Sequence, residues 1–449
     1  MNPDVDSGAP LVAAVDFGAS SIRVSVVNLG KRPLAPVVVH RHAHRPIRHS
    51  DGSLRWDWST LVAETERGLS AAQDFGTLAS IGIDTWGLDY GLIDGSGRLI
   101  APPHSYRDER TGNWRVVADR IGPRHLYDIT GTQLMPGNTI FQLAAHDREE
   151  TDRARHLLML PELLLNDLCG VILAEKTSAG TTALVDLATG TWSEELIDAI
   201  GADPSWFSEL RGAGELVSSY RGVPVHLVGG HDTASAVLAM GPKVEPDTVF
   251  LSAGTLFLVG RDNEGIRTDD HSFASNISHE PSVFGGTRRL ANLPGMWLLE
   301  ECRRAWSAES VASLLNFDER ECESAPIFDV DHESLVAPDD MPTAVSILAG
   351  LGSNAQRTAV SASIVESMAV AVATTVNRLD DQDSARSITA FGGGSQASML
   401  MHRISNRAQL PLSLGPIEAT TLGNALAQGI ALGWFTDVGD ARRALRSDN

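Results

Sequence analysis

The chain opens on an almost unbroken apolar run, Leu11–Gly18 (LVAAVDFG), interrupted only by Asp16. Such a run, closed by turn residues, predicts a strand buried on both faces. Ala19-Ser20-Ser21 separates it from a second strand-like segment, Ile22–Val27 (IRVSVV), so the two form a hairpin with small side chains at its tip. Polar and apolar positions then alternate with helical spacing over Arg55–Ala72, where Ser59 or Thr60 would serve as N-cap. Leu78–Ile83 reads as a strand running into Asp84-Thr85-Trp86-Gly87. Tyr90–Ile100 reads as a hairpin around Asp94-Gly95-Ser96-Gly97. Residues 112–210 read mainly as helices and loops, His156–Cys169 among the helices. Strand Pro224–Val228 leads through Gly229-Gly230-His231-Asp232 into a helix over Thr233–Met240.

Gly241–Asp247 (GPKVEPD), with two prolines and little apolar content, marks a boundary, giving domains over 1–241 and 242–449. Beyond it the opening pattern returns in degenerate form: strand Thr248–Leu251, small-residue turn Ser252-Ala253-Gly254-Thr255, strand Leu256–Val259. The echo implies two related halves. Helices follow around Trp297–Trp306, over Pro342–Leu351 with Asp340 as cap, and over Thr358–Leu379. Strand Ser387–Phe391 enters Gly392-Gly393-Gly394 before helix Gln396–Arg407, and Glu418–Gly433 reads as a closing helix.

Composition narrows the class. With 36 Lys+Arg against 57 Asp+Glu, the formal charge of −21 argues against a nucleic-acid partner or an anionic membrane surface. It leaves room for a phosphate-bearing small molecule, whose field a local loop and one cation can reverse. Cys169, Cys302 and Cys322 are too scattered for a disulfide framework, which suggests a reducing, cytoplasmic setting. No secretory signal is expected at the start, and no run approaches the ~20 apolar residues of a membrane span.

Four segments have the residue types that chemistry needs. At the tip Asp16–Arg23 (DFGASSIR), small residues leave backbone N–H groups open to a phosphate, and Asp16 is placed to face magnesium through water; a plain hairpin fits equally well. Asp232, at a strand-to-helix junction, fits a general base for a substrate hydroxyl, though by itself the segment favours a helix N-cap for Asp232. The glycines of Phe391–Ser395 (FGGGS) would let a flat ring or phosphate lie on the backbone, or simply make a tight turn. Asp84–Asp89 (DTWGLD) would wall a sugar pocket or pack as an amphipathic edge. Gly350–Ala355 (GLGSNA) matches a dinucleotide pattern but follows a helix end, and His40, His42 and His44 lie in an Arg-rich stretch read as surface loop.

Taken together, VDFGASSIRV, SIGIDTWGLDYGLID, YRDERT, TSAGTTALVDLATGTW, GGHDTASAV, LSAGTLFLVG, NLPGMWLLEE, FGGGSQASML and GPIEATTLGNALAQG resemble, in order and spacing, the FGGY carbohydrate kinases. The resemblance implies an α/β fold of two actin/hexokinase-like domains, each on a ribonuclease-H-like sheet, with ATP in the cleft. It implies phosphorylation of a ketose, L-rhamnulose at its 1-hydroxyl, using magnesium-ATP, by a monomer or homodimer. By position, Asp232 would accept the proton, and Gly87, His231, Thr233 and Asn292 would contact the sugar. Ala19, Ser20, Ser21, Ile22 and Arg23 would form the phosphate loop, with Thr255, Glu300 and Gly393 on the nucleotide. Ile22 stands where the family has glycine, and Glu300 where it has glutamine. A kinase for another ketose, such as L-fuculose or L-xylulose, and a non-catalytic sugar- or nucleotide-binding regulator are the rival readings.

Overall fold

The computed structural model describes residues 8–446 apart from 243, 246, 337, 353–354 and 380–383. Two compact units emerge. The first comprises residues 1–243, 263–288 and 419–449, the second 244–262 and 289–418. This division differs from a single boundary between 241 and 242, because a middle excursion and the C-terminal helices pack with the first unit.

In the first unit, β1 (Leu11–Gly18) and β2 (Ser21–Asn28) form the expected hairpin, pairing from Leu11 with Asn28 to Gly18 with Ser21. β3 (Pro36–Ala43) pairs on β2. Helix α1 (Trp58–Phe75) starts later than expected: Asp57 is its cap, accepting the Thr60 N–H, and Arg55 lies in a short strand outside it. β4 (Leu78–Thr85) runs parallel to β1. β5 (Tyr90–Ile93) does turn at Asp94–Gly97, but its strand partner is β6 (His156–Met159), with only a bridge to Leu99. The expected helix over His156–Cys169 is therefore this strand followed by α2 (Leu160–Cys169), which begins at a proline-containing first turn. β7 (Leu216–Tyr220) and β8 (Val223–His226) complete a sheet of order β7-β8-β4-β1-β2-β3, and α3 (Asp232–Leu238) follows.

Alternation along β1 sorts the layers. Leu11, Ala13, Val15 and Phe17 join the core with α1 and α2, while Val12 joins the opposite one with α3. Burying whole aliphatic side chains contributes about 1.5–3 kcal/mol each before entropy is subtracted.

In the second unit, β9 (Thr248–Ala253) and β10 (Leu256–Glu264) form the second hairpin, so its turn is shorter than expected, at Gly254-Thr255. β11 (Thr287–Pro294) lies on β10, and α4 (Trp297–Ala305) follows. α5 (Met341–Leu348) carries the expected Asp340 cap and ends before Gly350, so no strand precedes the GLGSNA stretch, of which residues 353–354 lie outside those described. α6 (Arg357–Leu379) precedes β12 (Ser387–Phe391), which runs parallel to β9. α7 (Ser398–Ala408) and β13 (Leu412–Leu414) complete the order β11-β10-β9-β12-β13. Both units thus place a hairpin beside a parallel strand, the arrangement behind the sequence echo. Contrary to expectation, α6 is long and apolar enough to cross a membrane by length and composition alone. It is mostly buried, and its Glu366 pairs with Arg403 of α7.

The chain then returns to the first unit as α8 (Ala419–Ala431), against α3 and β1. Among the described residues α9 (Val438–Arg443) follows, so α8 is not the closing helix.

Candidate active site

Two parallel strands of the first unit each end in an aspartate on the face that α8 covers. Asp16 and Asp84 are register partners, 2% and 0% exposed. Asp16 accepts from Arg23 at 2.7 Å and from the Thr421 hydroxyl at 3.3 Å; Asp84 accepts from Asn424 at 2.6 Å through Oδ2, while its buried Oδ1 has no hydrogen-bond partner. Burial, then the charges of Asp16 and Asp232, hold the Asp84 carboxyl well above the usual carboxylate range. Three carboxyl groups therefore share one neighbourhood beyond the strand ends. In the sequence Asp84 stands out only as part of the DTWGLD segment, although the strand-end aspartates of β1 and β4 are a usable signal.

Asp232 is the first residue of α3, yet it does not cap the helix. The cap position is His231, whose carbonyl accepts from the Ala234 and Ser235 N–H groups. The Asp232 carboxylate, 28% exposed, accepts from the Thr233 hydroxyl at 3.2 Å. The strand-to-helix turn is pinned from below. Glu175 accepts from the N–H groups of Gly230, Thr177 and Ser178 and from the Thr177 hydroxyl, and that hydroxyl accepts the His231 N–H at 3.0 Å.

A second buried carboxyl, Glu162, accepts the Glu175 N–H at 2.9 Å and the Ser178 hydroxyl. Burial raises both; with fewer donors than Glu175 and that neighbour's charge nearby, Glu162 is pushed up to about 8. Its proton is bound more tightly folded than unfolded, so this contribution to stability is fully present near pH 4.5 and is lost as pH rises to about 8. Glu162→Gln should therefore melt close to the parent at pH 5 and above it at pH 8.5. The ceiling on the gain is about 5 kcal/mol, at about 1.4 kcal/mol for each tenfold in proton affinity. Equal melting temperatures at pH 8.5 would exclude a raised Glu162 pKa.

The hairpin tip of β1 and β2 is a two-residue turn, Ala19-Ser20, with Ser20 exposed. Ile22 is fully buried in β2 opposite Phe17, and is not among the described positive-φ residues, so its branched side chain strains nothing. His44 lies beyond β3, where it clamps the tip: its ring Nε2 lies 2.9 Å from the Gly18 carbonyl oxygen, and its backbone N–H donates to the Ser20 carbonyl. Burial lowers its pKa to about 4. The histidine stretch is thus largely the strand β3 rather than a loop, with His40 on Glu64.

Gly87 sits tightly against Thr181, whose side chain a Cβ would meet at 2.7 Å. The next residue, Leu88, has φ 80, in the left-handed region costly for a branched residue. That conformation persists because the Leu88 N–H donates to Thr181 and its carbonyl accepts from Thr139 and Gln142. Beside it, Trp56 and Trp86 both donate to Asp89, which burial raises to about 6 despite these bonds. Further off, His104, His146 and Glu150 bring ligand-type atoms within 4.8 Å. Arg55 already sits 2.7 Å from Glu150, and burial with the charges of Arg110 and Arg55 lowers His104 to about 3, so the cluster is already supplied with positive charge.

In the second unit the tip of β9 and β10 exposes Thr255. The carbonyls of Gly254 and Thr255 accept the N–H groups of Met296 and Trp297, drawing the start of α4 onto the tip. Gly392, at φ 85, and Gly394 both lie against the Ala253 carbonyl, where a Cβ would stand at 3.1 and 2.8 Å, whereas a Cβ on Gly393 would meet nothing within 4 Å. The glycine run therefore presents open backbone at its middle. Asn292 is exposed on β11. Glu300, on α4, accepts from Arg303 at 2.7 Å, which holds its carboxyl below the usual range and offsets its charge. The structure thus gathers Asp16, Arg23, the tip, His231, Asp232 and Thr233 at strand ends of the first unit, and Thr255 and Gly393 at those of the second.

Comparison with known proteins accords with this geometry. The N-terminal domain of the FGGY family of carbohydrate kinases matches residues 11–238, and its C-terminal domain residues 249–432. A rhamnulokinase of Pectobacterium atrosepticum is 32% identical over 97% of this chain and 90% of its own length. One from Klebsiella pneumoniae is 31% identical over 97% and 92%. The fold matches a xylulose kinase of Lactobacillus acidophilus at TM-score 0.81 and 15% identity, covering 98% of this chain and 93% of that one. A glycerol kinase of Plasmodium falciparum matches at TM-score 0.76 and 16% identity, with the same coverage. The chain belongs to the FGGY family of carbohydrate kinases, as an ATP-dependent sugar kinase.

Proposed function

We propose that the protein transfers the terminal phosphate of ATP to the 1-hydroxyl of L-rhamnulose, with Asp232 taking the hydroxyl proton. The observation that carries this reading is the Asp232 carboxylate: part-exposed beyond a strand end, and not consumed as a helix cap. The two relatives named rhamnulokinase, similar along nearly the whole chain, support the choice of ketose. Phosphoryl transfer needs mainly positioning and charge stabilisation. In this reading Ala19, Ser20, Ser21 and Arg23 receive phosphate oxygens, Thr255 the terminal phosphates, and Gly393 underlies the nucleoside. Gly87, His231, Thr233 and Asn292 face the sugar. Three unpaired cysteines accord with a cytoplasmic setting.

The hard oxygen donors of Asp16 and the partnerless Oδ1 of neighbouring Asp84 suit magnesium, which Asp16 would hold through water. When bound with ATP, the ion neutralises phosphate charge. An ADP-release assay over L-rhamnulose, L-fuculose, L-xylulose and their relatives tests the substrate, since a lost hydroxyl contact in a polar site changes discrimination strongly. A higher kcat/KM for another ketose would reassign it; nucleotide binding without sugar-dependent ADP release would make the protein a regulator.

Gly393 offers a clean probe of the nucleotide. Nothing lies within 4 Å of an added Cβ, so Gly393→Leu should fold normally. KM for ATP should rise about tenfold, a loss of about 1.4 kcal/mol, with KM for sugar unchanged. An unchanged ATP KM would place the nucleoside elsewhere.

A further inference from the structure

Leu88 is held at φ 80 without the freedom of a glycine, and a conformation so costly for a bulky side chain persists only where its surroundings impose it. Three side chains do so. The Leu88 N–H donates to the Thr181 hydroxyl at 3.1 Å, and the Leu88 carbonyl accepts from the Thr139 hydroxyl at 2.7 Å and from Gln142 Nε2 at 3.0 Å. Thr139, Gln142 and Thr181 are all buried, so water competes little for these bonds. Thr181 is itself locked: its hydroxyl donates to the Ser178 carbonyl at 2.8 Å, which leaves a lone pair for Leu88.

Thr181 is one arm of a brace that has a second. Thr177, four residues earlier and in the short helix Lys176–Ala179, accepts the His231 N–H at 3.0 Å with its own hydroxyl, which donates to Glu175 at 2.6 Å. Both threonine hydroxyls thus donate inside the brace and accept a backbone N–H from outside it. The two turns they hold are also joined directly, because the Thr85 N–H donates to the Gly230 carbonyl at 2.8 Å. Gly87 lies flush on the brace, where an added Cβ would stand 2.7 Å from Thr181 Cγ2 and 2.8 Å from its Oγ1. The turn after β4, with Gly87, and the turn before α3, with His231 and Asp232, therefore keep one fixed spacing. A turn needed only to reverse the chain would be served by an unstrained residue at 88. Strain maintained by three buried bonds beside a candidate sugar contact points instead to a backbone direction that the site uses.

We infer that Thr181 is a positioning residue for the sugar: by keeping Leu88 left-handed it fixes the Gly87 backbone relative to Asp232, so that one ketose meets both. The inference rests on the reading that Gly87 faces the sugar and Asp232 accepts its proton. Thr181 makes and breaks no bond in the reaction. Its part is to stop the turn from relaxing. If the Leu88 N–H were released, φ would return to negative values, and rotation about that bond would swing the Gly87–Leu88 peptide, with the Gly87 carbonyl, out of its present direction. A misplacement of about 1 Å at such a contact can cost on the order of 10²-fold. The brace holds the sugar side of the first unit rather than either hairpin tip, so its loss is read in the sugar kinetics and not in those of ATP.

The test is Thr181→Val on the full chain, which keeps the side chain's shape and removes its acceptor. It is read as kcat and both KM values with MgATP and the preferred ketose of the ADP-release assay, beside thermal melts. KM for the sugar is expected to rise about tenfold or more, with KM for ATP within about twofold. Thr181→Ser, which keeps the hydroxyl, should stay within about threefold of the parent in both. Leu88→Gly supplies the readout that a merely structural bond would not move. Glycine adopts φ 80 at no steric cost, so in that background Thr181→Val should raise the sugar KM less than about threefold. An equal rise in the two backgrounds, or an unaltered sugar KM in Thr181→Val, overturns the inference. Should Thr181→Val melt below the assay temperature, Thr139→Val decides by the same split between sugar and ATP. Asp232→Asn separates this failure from that of the underlying reading. If it is inactive while Thr181→Val matches the parent, only the brace falls. If Asp232→Asn is itself active, the assignment of the acceptor falls first.

Discussion

Asp232→Asn is expected to fold, bind ATP as the parent does, and turn over at least ~10²-fold more slowly. Asn has nearly the size and shape of Asp, and the side chain is 28% exposed, so no packing is lost. No helix cap is lost either, because the cap position belongs to His231. The hydrogen bond from the Thr233 hydroxyl survives through the amide oxygen. What disappears is the ability to take a proton. An effect on kcat without an effect on melting temperature or ATP affinity is therefore the signature, read by ADP release at saturating sugar and by nucleotide titration. Turnover within a few-fold of the parent would exclude Asp232 as proton acceptor. A secondary consequence follows for Asp84, whose raised pKa owes part to the Asp232 charge: in the variant it falls toward the ordinary range.

What the chain revealed in advance was mostly what lies close along it. β1 and β2 were legible because a buried run, a short link of small residues and a second run leave one topology open, although the link, read as Ala19-Ser20-Ser21, is a turn of two residues. The echo over β9 and β10 was legible for the same reason. Errors came where neighbours compete or partners are distant. Asp57, Ser59 and Thr60 are all competent caps; Asp57 prevails because its carboxylate takes both the N–H and the hydroxyl of Thr60. The apolar stretch HLLMLPELLL has helical and strand character together, and pairing of His156–Met159 with Tyr90–Ile93 decides it from outside the segment. Asp232 could be singled out because glycines and a strand end surround it locally. Glu175 could not, since its acceptance of the Gly230 N–H spans 55 residues and the surrounding EKTS has no periodic signature. Glu280 is hidden likewise, since only the fold brings it within 3.3 Å of His231.

The same dependence on distant neighbours makes Gly423 the residue with the sharpest expected effect on stability. Gly423 lies within α8, where replacement by alanine would ordinarily gain about 0.5–1 kcal/mol in helix propensity. Here an added Cβ would stand 1.7 Å from the Ser235 carbonyl oxygen and 2.4 Å from its carbon. Both are backbone atoms of α3, so no rotamer change relieves the overlap and the helices must part. Overpacking of this kind costs typically 1–3 kcal/mol and exceeds the propensity gain. At the upper end of that cost Gly423→Ala should therefore lose about 2 kcal/mol net, a melting temperature about 2–3 °C lower for a chain of this length. A control is Gly112→Ala, where nothing lies within 4 Å, which should stay within about 0.5 kcal/mol of the parent. The displaced segment is also the one that starts at Asp232, and Ser235 ties it to the strand end by donating to the Gly229 carbonyl at 2.8 Å. A shift of α3 by a fraction of an ångström then moves the carboxylate against its substrate, so kcat at permissive temperature should fall along with stability. If Gly423→Ala melts with the parent and keeps its kcat, the close crossing of α8 over α3 is not what holds Asp232 in place.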